Sequence, residues 1–130
     1  MSARDVSGYI GEPHIWISIA NVDVPFYPNL DDNPDRKAHL KLAFADTDGG
    51  PKGLSVEQAR EILKFVQDNA DDETAVMVNC MAGMSRSPAV AAALVKLSGH
   101  SDLAYFKGQT PNMHVYRTIL DEGCRLLGVE

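Results

Sequence analysis

Residues Val76 to Val90 read VMVNCMAGMSRSPAV: an apolar β-branched run, a cysteine, a short glycine-containing loop, and an arginine six positions after the cysteine. Thr74 to Asn79 suits a central strand, and Pro88 falls where the first turn of a helix tolerates a missing N–H. The helix that follows, SPAVAAALVKL, is apolar nearly all round, as expected of one buried against a sheet. The loop therefore joins the carboxyl end of a strand to the amino end of a helix, where α/β sheets place ligands. Backbone N–H groups of Met81, Ala82, Gly83, Met84, Ser85 and Arg86 can curl there into one cup for a tetrahedral anion, helped by the positive end of the helix dipole. Arg86 can clamp two oxygens of that anion with its planar fork, which a lysine cannot do. The same field favours thiolate at Cys80, since cysteines in such settings titrate at roughly pH 3.5 to 7.5 rather than about 8.5. A thiolate beneath a phosphate is placed for in-line attack, with phosphoryl transfer to sulfur and then hydrolysis.

Working outward, HIWISIA (His14 to Ala20) reads as a buried strand, and NVDVPFYPNLDDNPDRK, with three prolines, as a long loop. HLKLAFAD (His39 to Asp46) reads as a second strand ending in an acid, broken by TDGGPKG. Ser55 and Gln58 form a capping-box pattern ahead of an amphipathic helix whose stripe is Val56, Ala59, Leu63 and Val66. Thr110 and Pro111 read as cap and first turn of a last helix, with Met113, Tyr116, Ile119, Leu120, Leu126 and Leu127 on its core stripe. Strands alternating with helices imply an α/β fold, a central mostly parallel sheet flanked by helices with the anion loop between a central strand and a buried helix. With no repeats or linker-like tracts, residues 1–130 are expected to form a single domain.

The bulk composition narrows the function classes. Eighteen acidic against 12 basic side chains give a net charge of -6, which repels phosphate backbones and anionic lipids, and there is no local basic patch. Nucleic-acid and membrane partners are therefore not expected. No signal-like or membrane-length apolar stretch is present, which gives a cytoplasmic expectation. Cys80 and Cys124 are too few for a disulfide scaffold, and neither has a Cys or His at metal-ligand spacing. His14, His39, His100 and His114 are dispersed and read as surface or packing histidines.

CMAGMSRSP (Cys80 to Pro88) resembles the Cys-x-x-Gly-x-x-Arg-Ser loop of the dual-specificity branch of the cysteine-dependent protein tyrosine phosphatases, in a small, minimal form of bacterial or phage type. The likeness extends over roughly His14 to Leu120 in the order HIWISIAN, proline-containing loop, strand to Asp46, helix from Ser55, and TPNMHVYRTIL. It implies Cys80 as nucleophile, Arg86 as phosphate clamp, and Ser87 as the hydroxyl that assists the thiolate as leaving group. It implies an upstream aspartate as general acid. Asp46, which ends its strand directly, is preferred, with Asp48 in the TDGGP loop as the alternative. Asn112 matches an Asn of the family's tail motif that supports the loop from behind. No cofactor is implied. Expected ligands are a phosphorylated protein or peptide, or phosphate, sulfate or vanadate in the loop. The leading substrate is phosphotyrosine, with phosphoserine and phosphothreonine as a second class. The loop carries no lysine, which counts against phosphoinositides and RNA 5′-phosphates.

The departure from the family is Asn79, where a histidine ordinarily precedes the cysteine. Asparagine hydrogen-bonds but cannot become charged, so it implies a Cys80 pKa above the family's range and low activity. That motivates an alternative, a weak or inactive pseudophosphatase that captures phosphorylated partners. Low-molecular-weight phosphatases and arsenate reductases carry a similar loop near the N-terminus with later acids; here the acids come first. Cys124 reads as a structural or partly exposed thiol. Met81 and Met84 are candidates for an adaptable apolar rim, whereas Met77 reads as core.

Overall fold

Alternation along HIWISIA gives two sets of side chains, and in the computed structural model, which describes residues 13–22, 36–71, 74–80, 85–107 and 110–127, both sets are buried. Three strands, β1 (His14–Ala20), β2 (Arg36–Ala43) and β3 (Ala75–Asn79), form a parallel sheet in the order β2-β1-β3. Among the described residues the middle position thus belongs to β1, and β3, expected to be central, lies beside it. Helices α1 (Val56–Asn69), α2 (Arg86–Leu97) and α3 (Met113–Leu127) complete an α/β fold.

The register aligns Ile17 with Leu40 and Val78, and Ser18 with Lys41 and Asn79. Because side chains alternate along a strand, the sheet has two unlike faces. Ile17, Ile19, Leu42, Val78 and Cys80 join Ala59, Ile62, Ala89, Val90, Val115 and Ile119 of the helices in one core. The other face carries Trp16, Ser18, His39 and Asn79. An extra residue in β2 shifts the register between His14 and Ile15, ahead of these rows.

Several boundaries differ from the sequence reading for local reasons. β2 begins at Arg36 and ends at Ala43, three residues before Asp46; the Phe44 N–H still donates to Ala20 O at 3.1 Å, so the chain leaves the sheet gradually. The capping box of α1 is formed in full, Ser55 Oγ accepting from Gln58 N and Gln58 Oε1 from Ser55 N. Its stripe is centred on Ala59 and Ile62, which leaves Val56 40 % exposed. The cap of α3 is Asn112, not Thr110 and Pro111: its side-chain oxygen accepts from Val115 N and its carbonyl from Tyr116 N. The α3 stripe is centred on Val115, Ile119, Glu122 and Gly123, with Tyr116 and Leu120 packed against the core as expected, whereas Leu126 is 62 % exposed; the Leu127 side chain is outside the described set.

Candidate active site

The loop expected to bind the anion is delimited on both sides. Cys80 is buried directly after β3, and Arg86 is the first residue of α2; Met81, Ala82, Gly83 and Met84 between them, like most of the long proline-containing loop expected before β2, lie outside the described residues. Ser87 N donates to Cys80 Sγ at 3.4 Å, and the Cys80 thiol donates to Ser87 Oγ at 3.3 Å. The sulfur therefore meets a backbone donor and a hydroxyl at a helix amino terminus, a setting that stabilises negative charge on it.

Arg86 is 5 % exposed. Its Nη1 donates to Phe44 O at 2.8 Å and Ala20 O at 3.4 Å, the carbonyls just past β2 and at the end of β1. One corner of the guanidinium is anchored by these contacts, which orients the Nε and Nη2 edge. That edge has the fork geometry of bidentate anion recognition.

Asp46 is exposed, and its Oδ1 accepts from Ser85 Oγ at 2.8 Å and Asn112 Nδ2 at 2.7 Å. The hydroxyl of Ser85, the residue before α2, would ordinarily accept from the second or third helical N–H, but the second, Ser87 N–H, is given to Cys80 Sγ. The third position is Pro88, which has none, and Ser85 makes no side-chain cap. Its hydroxyl is used on Asp46 instead. Asn112 also donates to Thr47 O at 3.0 Å and, from its backbone, to Ser85 O at 3.0 Å, so a single residue ties the Asp46 loop to the start of α2. The loop closes through Ala45 N to Lys52 O and Gly53 N to Gly50 O, with Gly49 and Gly50 at φ of 110° and 87°, where other residues are strained. Asp48 is exposed farther along the same loop. The structure thus brings Cys80, Arg86, Ser87, Ser85, Asp46 and Asn112 to one end of the sheet.

Asn79 is 2 % exposed. Its Oδ1 accepts from Ser18 Oγ at 2.8 Å, and Ser18 Oγ lies 2.7 Å from His39 Nε2, so the three side chains cross all three strands in a row. His39, read from the sequence as a surface or packing residue, is a member of a built polar row. Its pKa is lowered from 6.5 to about 4, first by burial and then by Lys41 and Arg36. His14 is buried edge-on to Trp16, and His114 contacts Leu54 O at 3.0 Å, leaving only His100 exposed. Ser18 and His39 were missed because their pairing depends on the order of strands far apart in the chain.

Cys124 is partly buried and, like Cys80, is not in a disulfide. Met77, expected in the core, is partly buried on the opposite face, in register with Trp16, because Val76 and Val78 take the core-facing positions of β3. Among the described residues, no group of three or more His, Cys, Asp or Glu could hold a metal, and no helix is long and apolar enough to cross a membrane. A cavity of about 580 Å³ lined by Leu63, Val66, Val76, Leu94 and Leu97 includes none of the residues gathered around Cys80.

No protein-family model matches the chain, and no curated protein is significantly similar to it. Solved structures do resemble it. One is a mouse protein carrying a provisional dual-specificity phosphatase name, crystallised with zinc tungstate, at 19% identity and a TM-score of 0.50 over 88% of this chain and 72% of that one. The likeness shows a shared fold.

Proposed function

We propose that this chain is a phosphoric monoester hydrolase of the dual-specificity type, acting on phosphotyrosine and, as a second class, on phosphoserine and phosphothreonine through a cysteinyl-phosphate. The observation that carries the reading is the packing of Cys80 Sγ against Ser87 N and Oγ at the head of α2, one residue from an anchored Arg86. The fold neighbour's tungstate, a tetrahedral oxyanion, is consistent with an anion held in such a loop.

In this reading the loop amides and the Nε and Nη2 edge of Arg86 hold the phosphoryl oxygens while Cys80 thiolate attacks phosphorus. The S–P bond forms as the ester P–O bond breaks, and the leaving oxygen takes a proton from Asp46. Oδ1 of Asp46 is held by Ser85 and Asn112, which assigns the proton to Oδ2. Water then gives a proton back to Asp46 and attacks phosphorus, releasing inorganic phosphate, and Ser87 donates a hydrogen bond to the departing thiolate. No cofactor takes part, and the substrates are phosphorylated proteins or peptides of the cytoplasm. Asn79 motivates the second reading, a phosphate-binding pseudophosphatase, because it cannot supply the charge that a histidine there could.

Hydrolysis of an aryl phosphate by wild type and Cys80→Ser, with vanadate as inhibitor, separates the two. Turnover that is vanadate-sensitive and abolished by Cys80→Ser is expected. Absence of turnover with retained phosphopeptide binding favours the pseudophosphatase.

A further inference from the structure

The row Asn79, Ser18 and His39 is the polar feature that the reaction above leaves unused. Buried hydroxyls and amides are costly unless partnered, and this row satisfies them in a chain across the sheet. Its direction follows from chemistry. Asn79 Oδ1 can only accept, so the Ser18 hydroxyl hydrogen is committed to it. The Ser18 oxygen must then accept from His39, whose Nε2 carries the proton. The row therefore reads His39 N–H to Ser18 O–H to Asn79 C=O, three dipoles aligned head to tail. A carboxamide is planar, so fixing its oxygen against β1 turns its N–H₂ edge away from β1 and makes it the positive end of the chain.

We propose that His39 and Ser18 are positioning residues for the nucleophile: through Asn79, on the face of the sheet opposite the thiol, they fix the backbone from which the cysteine loop departs. The imidazole absent from position 79 thus acts from β2, two hydrogen bonds away. This rests on Cys80 being the nucleophile, but its test does not need turnover. The charged or titratable neighbours are Arg36 and Lys41 on the same strand and His14 on β1, and both cations disfavour a second proton on the ring. The ring consequently remains a neutral donor through the neutral range.

The test is the pH dependence of Cys80 carboxamidomethylation by iodoacetamide, followed on the Cys80 peptide by mass spectrometry so that Cys124 does not contribute. Ser18→Ala and His39→Leu should move the midpoint up and slow alkylation about three- to tenfold below it, corresponding to half a unit to one unit. His39→Gln, which can still donate an N–H, should restore the wild-type midpoint. Unchanged midpoints in folded Ser18→Ala and His39→Leu overturn the proposal. Should those variants fail to fold, nitrogen-15 shifts of His39 in the wild-type protein decide it: a protonated Nε2 with bare Nδ1 is expected, and the opposite tautomer overturns the chain. A shifted midpoint in a protein that hydrolyses no aryl phosphate would leave the positioning intact and remove the hydrolase reading.

Discussion

Asn79 and Cys80 are consecutive and each 2 % exposed, yet they face opposite sides of the sheet and meet opposite chemistry. Cys80 joins an apolar core and takes its polar contacts from Ser87, one residue into α2. Asn79 joins a polar row built from β1 and β2. The thiol takes its polar contacts from a residue seven positions on, whereas the amide draws its partners from residues 40 to 61 positions away. The polar surroundings of a thiol can thus be set by the adjoining helix while those of its neighbour are set by the sheet.

The largest effect should come from breaking the thiol side at Arg86. Arg86→Lys keeps the charge but loses the fork and the anchorage on Phe44 and Ala20, so kcat for an aryl phosphate should fall by about 10²–10³, as for loss of one preorganised donor. A rate within threefold of wild type would argue against the clamp. Asp46→Asn comes next, with a loss of about 10² for poor leaving groups and little for activated ones. An unaffected rate with both substrate types moves the acid to Asp48.

The amide side predicts smaller changes. Thiolate absorbance against pH should give Asn79→His a lower Cys80 midpoint than wild type, and equal midpoints would show that the row already supplies what a histidine would. His39 adds a pH dependence of stability. The unfolded chain takes up this proton near 6.5 and the folded chain only near 4, so the stabilisation is full above about 6.5 and lost as pH falls toward 4. After discounting for the part of the ring that faces solvent it is worth about 1–2 kcal/mol. Urea unfolding at the two ends of that range should show the loss in wild type and not in His39→Gln. The smallest change is expected far from both sides, at Gly123→Ala. A Cβ there would run into both Cδ atoms of Leu97, but these are the tips of a side chain that can shift, and alanine gains about 1 kcal/mol of helix propensity. The melting midpoint should move by no more than about 1 kcal/mol of stability in either direction, and a larger loss would show that Leu97 is locked between α2 and α3.

The α/β class, the three helices and the strand-loop-helix around Cys80 were legible because each depends on local pattern: β-branched runs, a capping box, and a proline in a first helical turn. Asp46, Asn112, Arg86 and Ser87 were legible through the spacing of a resemblance. What misread was set at longer range. Val115 and Ile62 face the core because of how α3 and α1 dock, and Asn112 rather than Thr110 caps α3 because it also holds Asp46 and Thr47. By itself the sequence determined that a thiol and a guanidinium share a turn at the head of an apolar helix, since backbone pattern and residue type suffice for that. Only the tertiary structure decided what stands behind the thiol, because Ser18, His39 and Asn79 become neighbours through strand order and register, which no local stretch encodes.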